Sequence, residues 1–115
     1  MNNLYYYKAH VTYVYDGDTI TCDVDCGFGL KMIKTKIRLY GIDTPELRGE
    51  ESELGIHVRD ILREKINNKD ILLQTIKDKK GKYGRYLGIL HLKEDGKYIN
   101  INDWLIENNY AVKYE

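Results

Sequence analysis

Hard carboxylate oxygens and guanidinium groups recur in this chain beside turn residues. Asp16-Gly17-Asp18-Thr19 sets two carboxylates about a tight turn. The run Ile37-Arg38-Leu39-Tyr40-Gly41-Ile42-Asp43-Thr44-Pro45-Glu46 then supplies an arginine, a second aspartate and a glutamate. Lys82-Tyr83-Gly84-Arg85 adds another arginine. Carboxylates alone would indicate a metal site, and arginines alone a phosphate site. Together they are the minimum set for holding a divalent cation against a phosphodiester, which points to metal-assisted phosphodiester hydrolysis.

Asp18 and Asp43 are the candidate cation ligands, because each follows a turn or closes a strand and two distant segments can bring them together. Glu46 stands beyond Pro45, where a rigid turn can aim its carboxylate at a water. Arg38 and Arg85 are candidate phosphate clamps, since a guanidinium grips two phosphoryl oxygens through parallel hydrogen bonds. Donors fixed where charge grows favour a five-coordinate transition state over the ground state. Lys82 and Tyr83 could meet a terminal phosphate, and Tyr83 could also stack on a base. Asp16 either hydrogen-bonds a water on the cation or only makes the turn. The loop from Lys77 to Lys82 is either a track for a phosphate backbone or a solvated hairpin loop. His57 reads as a surface histidine, and Asp23 and Asp25 as solvent-facing strand residues.

The elements that must position these groups are legible in outline. Residues 4–15 read as a strand, and Gly17 gives the following turn freedom for positive φ. Residues 18–26 alternate, with Ile20, Cys22, Val24 and Cys26 on one face. Residues 31–42 form a third strand, with Ile33, Ile37 and Leu39 inward and Lys34, Lys36 and Arg38 outward. A helix within 50–67 carries the stripe Leu54, Val58, Ile61, Leu62 and Ile66, and Gly55 weakens its first turn. Residues 69–77 and 83–93 read as two more strands joined by 78–82. A turn at Glu94-Asp95-Gly96-Lys97 leads to a short helix over 103–109, capped by Asn102 or Asp103, with Trp104, Leu105 and Ile106 inward. Five strands with a helix between the third and fourth fit a five-stranded OB-fold barrel of the α+β class, although the order alone allows other small α+β folds.

Composition sets further bounds. A chain of 115 residues with 43% hydrophobic and 31% charged content can form one domain with a core. No apolar run approaches the roughly 20 residues of a membrane helix, so no membrane partner is expected. The N-terminal residues lack a basic stretch followed by an apolar one, so a cytoplasmic location is expected. Net charge is zero, but residues 1–57 carry six Lys/Arg against nine Asp/Glu while the remainder carries twelve against nine. The cation candidates thus lie in an acidic half and Arg85 in a basic one. Cys22 and Cys26, four apart in a strand, are separated by about 13 Å, too far for a disulfide. Both are expected as free, buried thiols.

The DGDT run, the R-x-x-x-x-D-T-P-E run and the KYGR run stand in the order and spacing found in the staphylococcal nuclease (thermonuclease) family, which the chain resembles from about Tyr5 to its last residue. The resemblance implies an OB barrel and a calcium-dependent, sugar-nonspecific nuclease acting on DNA and RNA; single-stranded or frayed substrate is expected because a small barrel cleft must reach the backbone from the side. It implies that water attacks phosphorus in line, the 5′-oxygen leaves and the products carry 3′-phosphates. One Ca2+ would be held by Asp18, Asp43 and the Thr44 carbonyl, with Mg2+ or Mn2+ as alternatives. Glu46 would be the general base, Arg38 and Arg85 the phosphate-binding arginines, and Tyr114 the second substrate-binding tyrosine. The expected organisation is a single domain over 1–115 without the family's usual last C-terminal helix. Oligomeric state is left open. The competing reading is a catalytically weak or inactive nuclease-like barrel that binds nucleic acid; a dead copy should have lost one or more of Asp18, Arg38, Asp43, Glu46 or Arg85, and all five are present.

Overall fold

The computed structural model describes residues 5–80 and 85–114, the side chains of 77–80 excepted. Strands β1 (Tyr6–Asp16), β2 (Thr19–Gly27) and β3 (Leu30–Leu39) form an antiparallel meander. The two-residue strand β4 (Ile42–Asp43) follows, then a 3-10 turn (Gly49–Glu51) and helix α1 (Ser52–Ile66). Strands β5 (Asp70–Lys80), β6 (Tyr86–Glu94) and β7 (Lys97–Asn100) come next, then helix α2 (Ile101–Glu107) and the short strand β8 (Val112–Lys113). The sheet order is β3-β2-β1-β5-β6-β7, and a parallel β3–β6 pairing joins its ends. The first five strands of that order therefore close into the mixed barrel expected, with β7 as a hairpin extension of β6. Closure buries Val11, Val14, Ile20, Ile37, Leu73 and Leu90 essentially completely. Among the described residues no helix is long and apolar enough to cross a membrane.

Several local expectations are corrected. The outward and inward faces of β3 exchange at a bulge: Cys22 pairs with Thr35 and Val24 with Met32, so two residues oppose Asp23. Lys34 takes φ +53 and donates its N–H to the Asp23 carboxylate at 3.0 Å. The extra residue shifts the alternation by one. Ile33 is consequently exposed, whereas Thr35, Ile37 and Leu39 beyond the bulge are buried. Asp23 thus satisfies the bulge. Leu54 is also exposed, because α1 buries Gly55, Val58, Leu62 and Ile66. The last helix starts at Ile101, earlier than expected, and Asn100 caps it by accepting the Asp103 N–H at 3.0 Å.

Asn102 is a core residue. It is buried, accepts the Leu90 N–H at 3.1 Å, and donates to the carbonyls of Tyr40 at 2.9 Å and Gly88 at 3.1 Å. One side chain therefore ties α2 to β6 and to the turn between β3 and β4. Asn102→Ala should lower unfolding free energy by about 2–4 kcal/mol, since it leaves buried backbone groups without partners. Urea denaturation measures this directly.

Both cysteines are free as expected, but only Cys22 is buried; Cys26 lies at the exposed end of β2. Burial, reinforced by the Asp23 charge, pushes the Cys22 thiol up to about 12. Ellman's reagent at pH 8 should therefore titrate Cys26 alone in the native protein and both thiols after unfolding.

Candidate metal and phosphate site

The site forms where β2 begins and β3 ends. The connection from β1 to β2 is only Gly17-Asp18, and the Asp16 carboxylate accepts the Asp18 N–H at 3.0 Å. Gly17 does not take the positive φ expected of it. Its necessity is spatial: a Cβ there would lie 2.6 Å from Val58 Cγ1 and 2.8 Å from Thr44 Oγ1. The turn can pass beneath Thr44 only because it carries no side chain. The Asp18 carbonyl then accepts the Leu39 N–H at 2.8 Å, locking the turn to β3.

Asp18 is 7% exposed and heavily engaged. Its Oδ2 accepts from both the N–H and the hydroxyl of Thr44, each at 3.1 Å, and lies 3.4 Å from Arg38 Nη1. Its Oδ1 accepts from the Thr19 hydroxyl at 3.3 Å. Arg38 also places Nη2 3.4 Å from Asp43 Oδ1 and donates Nη1 to the carbonyls of Ile42 and Leu39 at 3.0 and 3.1 Å. A single guanidinium thus spans the two candidate cation ligands. The Asp43 carboxylate remains about half exposed, whereas the Asp18 carboxylate is nearly covered. The pair presents oxygen toward solvent from one side only.

The break at Tyr40-Gly41 creates this geometry. Gly41 has φ +79, a conformation that costs glycine little. The expected strand over 31–42 therefore ends at Leu39, and Ile42-Asp43 leaves the barrel to pair with β8. The tail reaches β4 because the turn after α2 reverses at Asn109, φ +64, and the Tyr110 N–H bonds back to the Leu105 carbonyl at 2.8 Å. Tyr114 then donates its N–H to the Gly41 carbonyl at 2.9 Å, and its ring lies 5.6 Å from the Arg38 guanidinium carbon. Arg85 arrives from the start of β6 and donates to Thr19 Oγ1 at 3.2 Å. Both arginines therefore connect to Asp18, one directly and one through Thr19.

The structure thus brings together Asp18, Arg38, Asp43, Thr44, Arg85 and Tyr114, with Asp16 beside them. It does not bring the Glu46 carboxylate into hydrogen-bond contact with that group; the side chain is exposed. What is fixed is the Glu46 backbone, whose N–H donates to Glu51 Oε1 at 3.1 Å. Lys82 and Tyr83 lie outside the described residues. Glu51 is a positioning residue that the pattern of acids at a helix start did not reveal. It lines a concavity of about 180 Å³ with Asp43, Thr44 and Pro45.

The donor set suits a hard cation. Burial and then the neighbouring Asp18 charge raise the Asp16 carboxyl to about 7. Among the described residues no three His, Cys, Asp or Glu side chains form a complete cage. Carbonyl, water and substrate oxygens would have to complete the coordination of an ion held by Asp18 and Asp43.

Gly55 gives a separable test of how this segment is held. An alanine would favour the helix by up to about 1 kcal/mol. Its Cβ, however, would sit 2.1 Å from the Glu46 carbonyl oxygen and 2.9 Å from that of Pro45. The steric term wins, because both obstacles are backbone. Gly55→Ala should therefore lower stability by about 1–3 kcal/mol and displace the 45–46 segment. Chemical denaturation and amide shifts of Glu46 read the two effects.

A family model for staphylococcal nuclease homologues matches residues 36–115. The chain is also 28% identical over 130 residues to the uncharacterized protein MJ1439 of Methanocaldococcus jannaschii. That alignment takes in 95% of this chain and 60% of the length of the curated relative.

Proposed function

Since the chain belongs to the staphylococcal nuclease homologue family, we propose that it is a calcium-dependent, sugar-nonspecific nuclease that hydrolyses single-stranded or frayed DNA and RNA to 3′-phosphate products. The observation that carries this reading is the Arg38 guanidinium spanning Asp18 and Asp43, with Arg85 tied to the same carboxylate through Thr19. Asp18, Asp43 and the Thr44 carbonyl would hold one Ca2+, with Mg2+ or Mn2+ as alternatives. When bound, the cation would supply Lewis-acid polarisation of a phosphoryl oxygen.

The chain's own residues account for the rest. Arg38 and Arg85 place donors against the non-bridging oxygens, whose charge increases as water attacks phosphorus. The new bond joins water oxygen to phosphorus, and the bond to the 5′-oxygen breaks. Glu46 orients the water and takes its proton, and a solvent proton ends on the departing oxygen. Carboxylates are weak bases as a class, so orientation of the water is the larger part of its contribution. Asp16 supports the cation environment, and Tyr114 screens one side of Arg38. Lys82 and Tyr83 are assigned to a terminal phosphate and a base. Phosphate contacts carry no base identity, so sequence preference is slight.

The test is cleavage of a labelled single-stranded DNA with calcium, with magnesium and with chelator. Calcium-dependent cutting to 3′-phosphate ends is expected. Arg85→Ala should reduce kcat by about 100–1000-fold, the usual consequence of losing one transition-state donor. Glu46→Ala should also lose most cutting. Asp43→Ala should abolish the calorimetric heat of calcium binding, a readout independent of turnover. A folded protein that fails to cut in the presence of any of these metals would turn the reading to a nucleic-acid-binding barrel.

A further inference from the structure

The outer face of the barrel beside the site carries a second feature that the cation and phosphate groups do not use. Tyr13 and Tyr15 both stand on β1, Tyr15 as the extra residue of the bulge between Val14 and Asp16, and each is about half exposed (51% and 52%). Tyr13 pairs with Thr21, and Thr21 pairs with Lys36, giving a row across β1, β2 and β3. With strands about 4.8 Å apart, that row is about 10 Å wide. Thr19 and Arg38 pair in the next same-face row, so the row abuts the candidate site directly. Tyr13, Tyr15, Thr19, Thr21, Lys36 and Arg85 line one concavity of about 360 Å³. Its lining contains two cations, two phenol rings and no carboxylate.

Tyr13 is also held in place from outside the sheet. Arg63 of α1 donates Nη2 to the Tyr13 hydroxyl at 3.2 Å and Nε to the Val14 carbonyl at 3.0 Å. Its guanidinium carbon lies 5.3 Å from the centre of the Tyr13 ring. An exposed ring fixed in this way loses little conformational entropy when something stacks on it. Exposed aromatic rings bordered by cations match one ligand chemistry well: unpaired bases on a phosphate backbone.

We propose that the Tyr13–Tyr15–Lys36 groove is a stacking subsite for the single strand on the Arg85 side of the scissile phosphate. This rests on the nuclease reading for its direction and adds residues that reading does not require. Bases stack on Tyr13 and Tyr15, while Lys36 and Arg85 meet the backbone between the groove and the site. Duplex is disfavoured there, because paired bases do not expose their faces to the tyrosines.

The test is equilibrium binding, in chelator, of a fluorescent 12-nucleotide single strand and of an abasic strand of the same length. The native protein should prefer the strand with bases by about tenfold or more, and Tyr13→Ala/Tyr15→Ala should erase that preference. Tyr15→Phe keeps the ring and should retain it, whereas Tyr15→Ser should lose part of it. Lys36→Ala should weaken both strands alike and lower the salt dependence by about one phosphate contact. Equal affinity of the native protein for the two strands, or a preference that survives the double alanine variant, overturns the subsite. So does an absence of strand binding. Because cleavage is not measured, loss of the subsite would leave metal-dependent hydrolysis standing, and failure of hydrolysis would leave a positive binding result intact.

Discussion

The Asp18 carboxylate is the constraint around which the site is assembled. It is almost wholly covered, so its charge must be met by hydrogen bonds and by a cation, and the structure meets it with Thr44, Thr19 and Arg38. A buried carboxylate left unpaired would cost several kcal/mol. Each partner comes from a different place in the chain. Thr19 follows Asp18 directly, Arg38 closes β3, and Thr44 stands beyond the break at Gly41. Satisfying one charge therefore fixes the relative positions of three segments. Arg38 cannot satisfy Asp18 and Asp43 together unless the two carboxylates lie within the span of one guanidinium.

The surroundings reduce the freedom of that arrangement further. Gly17 and Gly55 are both places where backbone runs too close to a neighbour for a methyl group. The first lets the β1–β2 turn pass under Thr44, and the second lets α1 press against the carbonyls of Pro45 and Glu46. Asn102 holds the Tyr40 carbonyl at the point where the chain leaves the barrel. The groups that bear charge are thus set by groups that bear none.

Much of this was legible in the residues. The alternation of Ile20, Cys22 and Val24 gave β2 its inward face, and the DGDT, DTPE and KYGR runs marked the charged groups. What sequence pattern did not show was tertiary. The bulge at Lys34, which turned Ile33 outward, depends on a hydrogen bond from Lys34 to a carboxylate on the neighbouring strand. Gly17 looked like a turn glycine because local sequence carries no record of Thr44 and Val58 overhead. Asn102 resembled a helix cap because caps are local, whereas its partners at Tyr40, Gly88 and Leu90 are distant. The exposed position of the Glu46 carboxylate likewise depends on how the 45–46 backbone is held by Gly55 and Glu51.

The barrel closes through the parallel pairing of β3 with β6, which joins Ile37 to Tyr86, Arg38 to Leu87 and Leu39 to Gly88. It is the shortest join in the barrel, and parallel pairs are slightly weaker per residue than antiparallel ones. Arg38 sits on one side of it, and Arg85 immediately precedes the other. A transient parting of this seam would carry the two guanidiniums away from each other while the β1–β2–β3 meander stayed intact. The separation of the two guanidiniums and the breathing of the barrel are therefore one coordinate, and slow exchange of the Tyr40 amide, which donates to the Gly88 carbonyl at 2.7 Å, would report a seam that is shut.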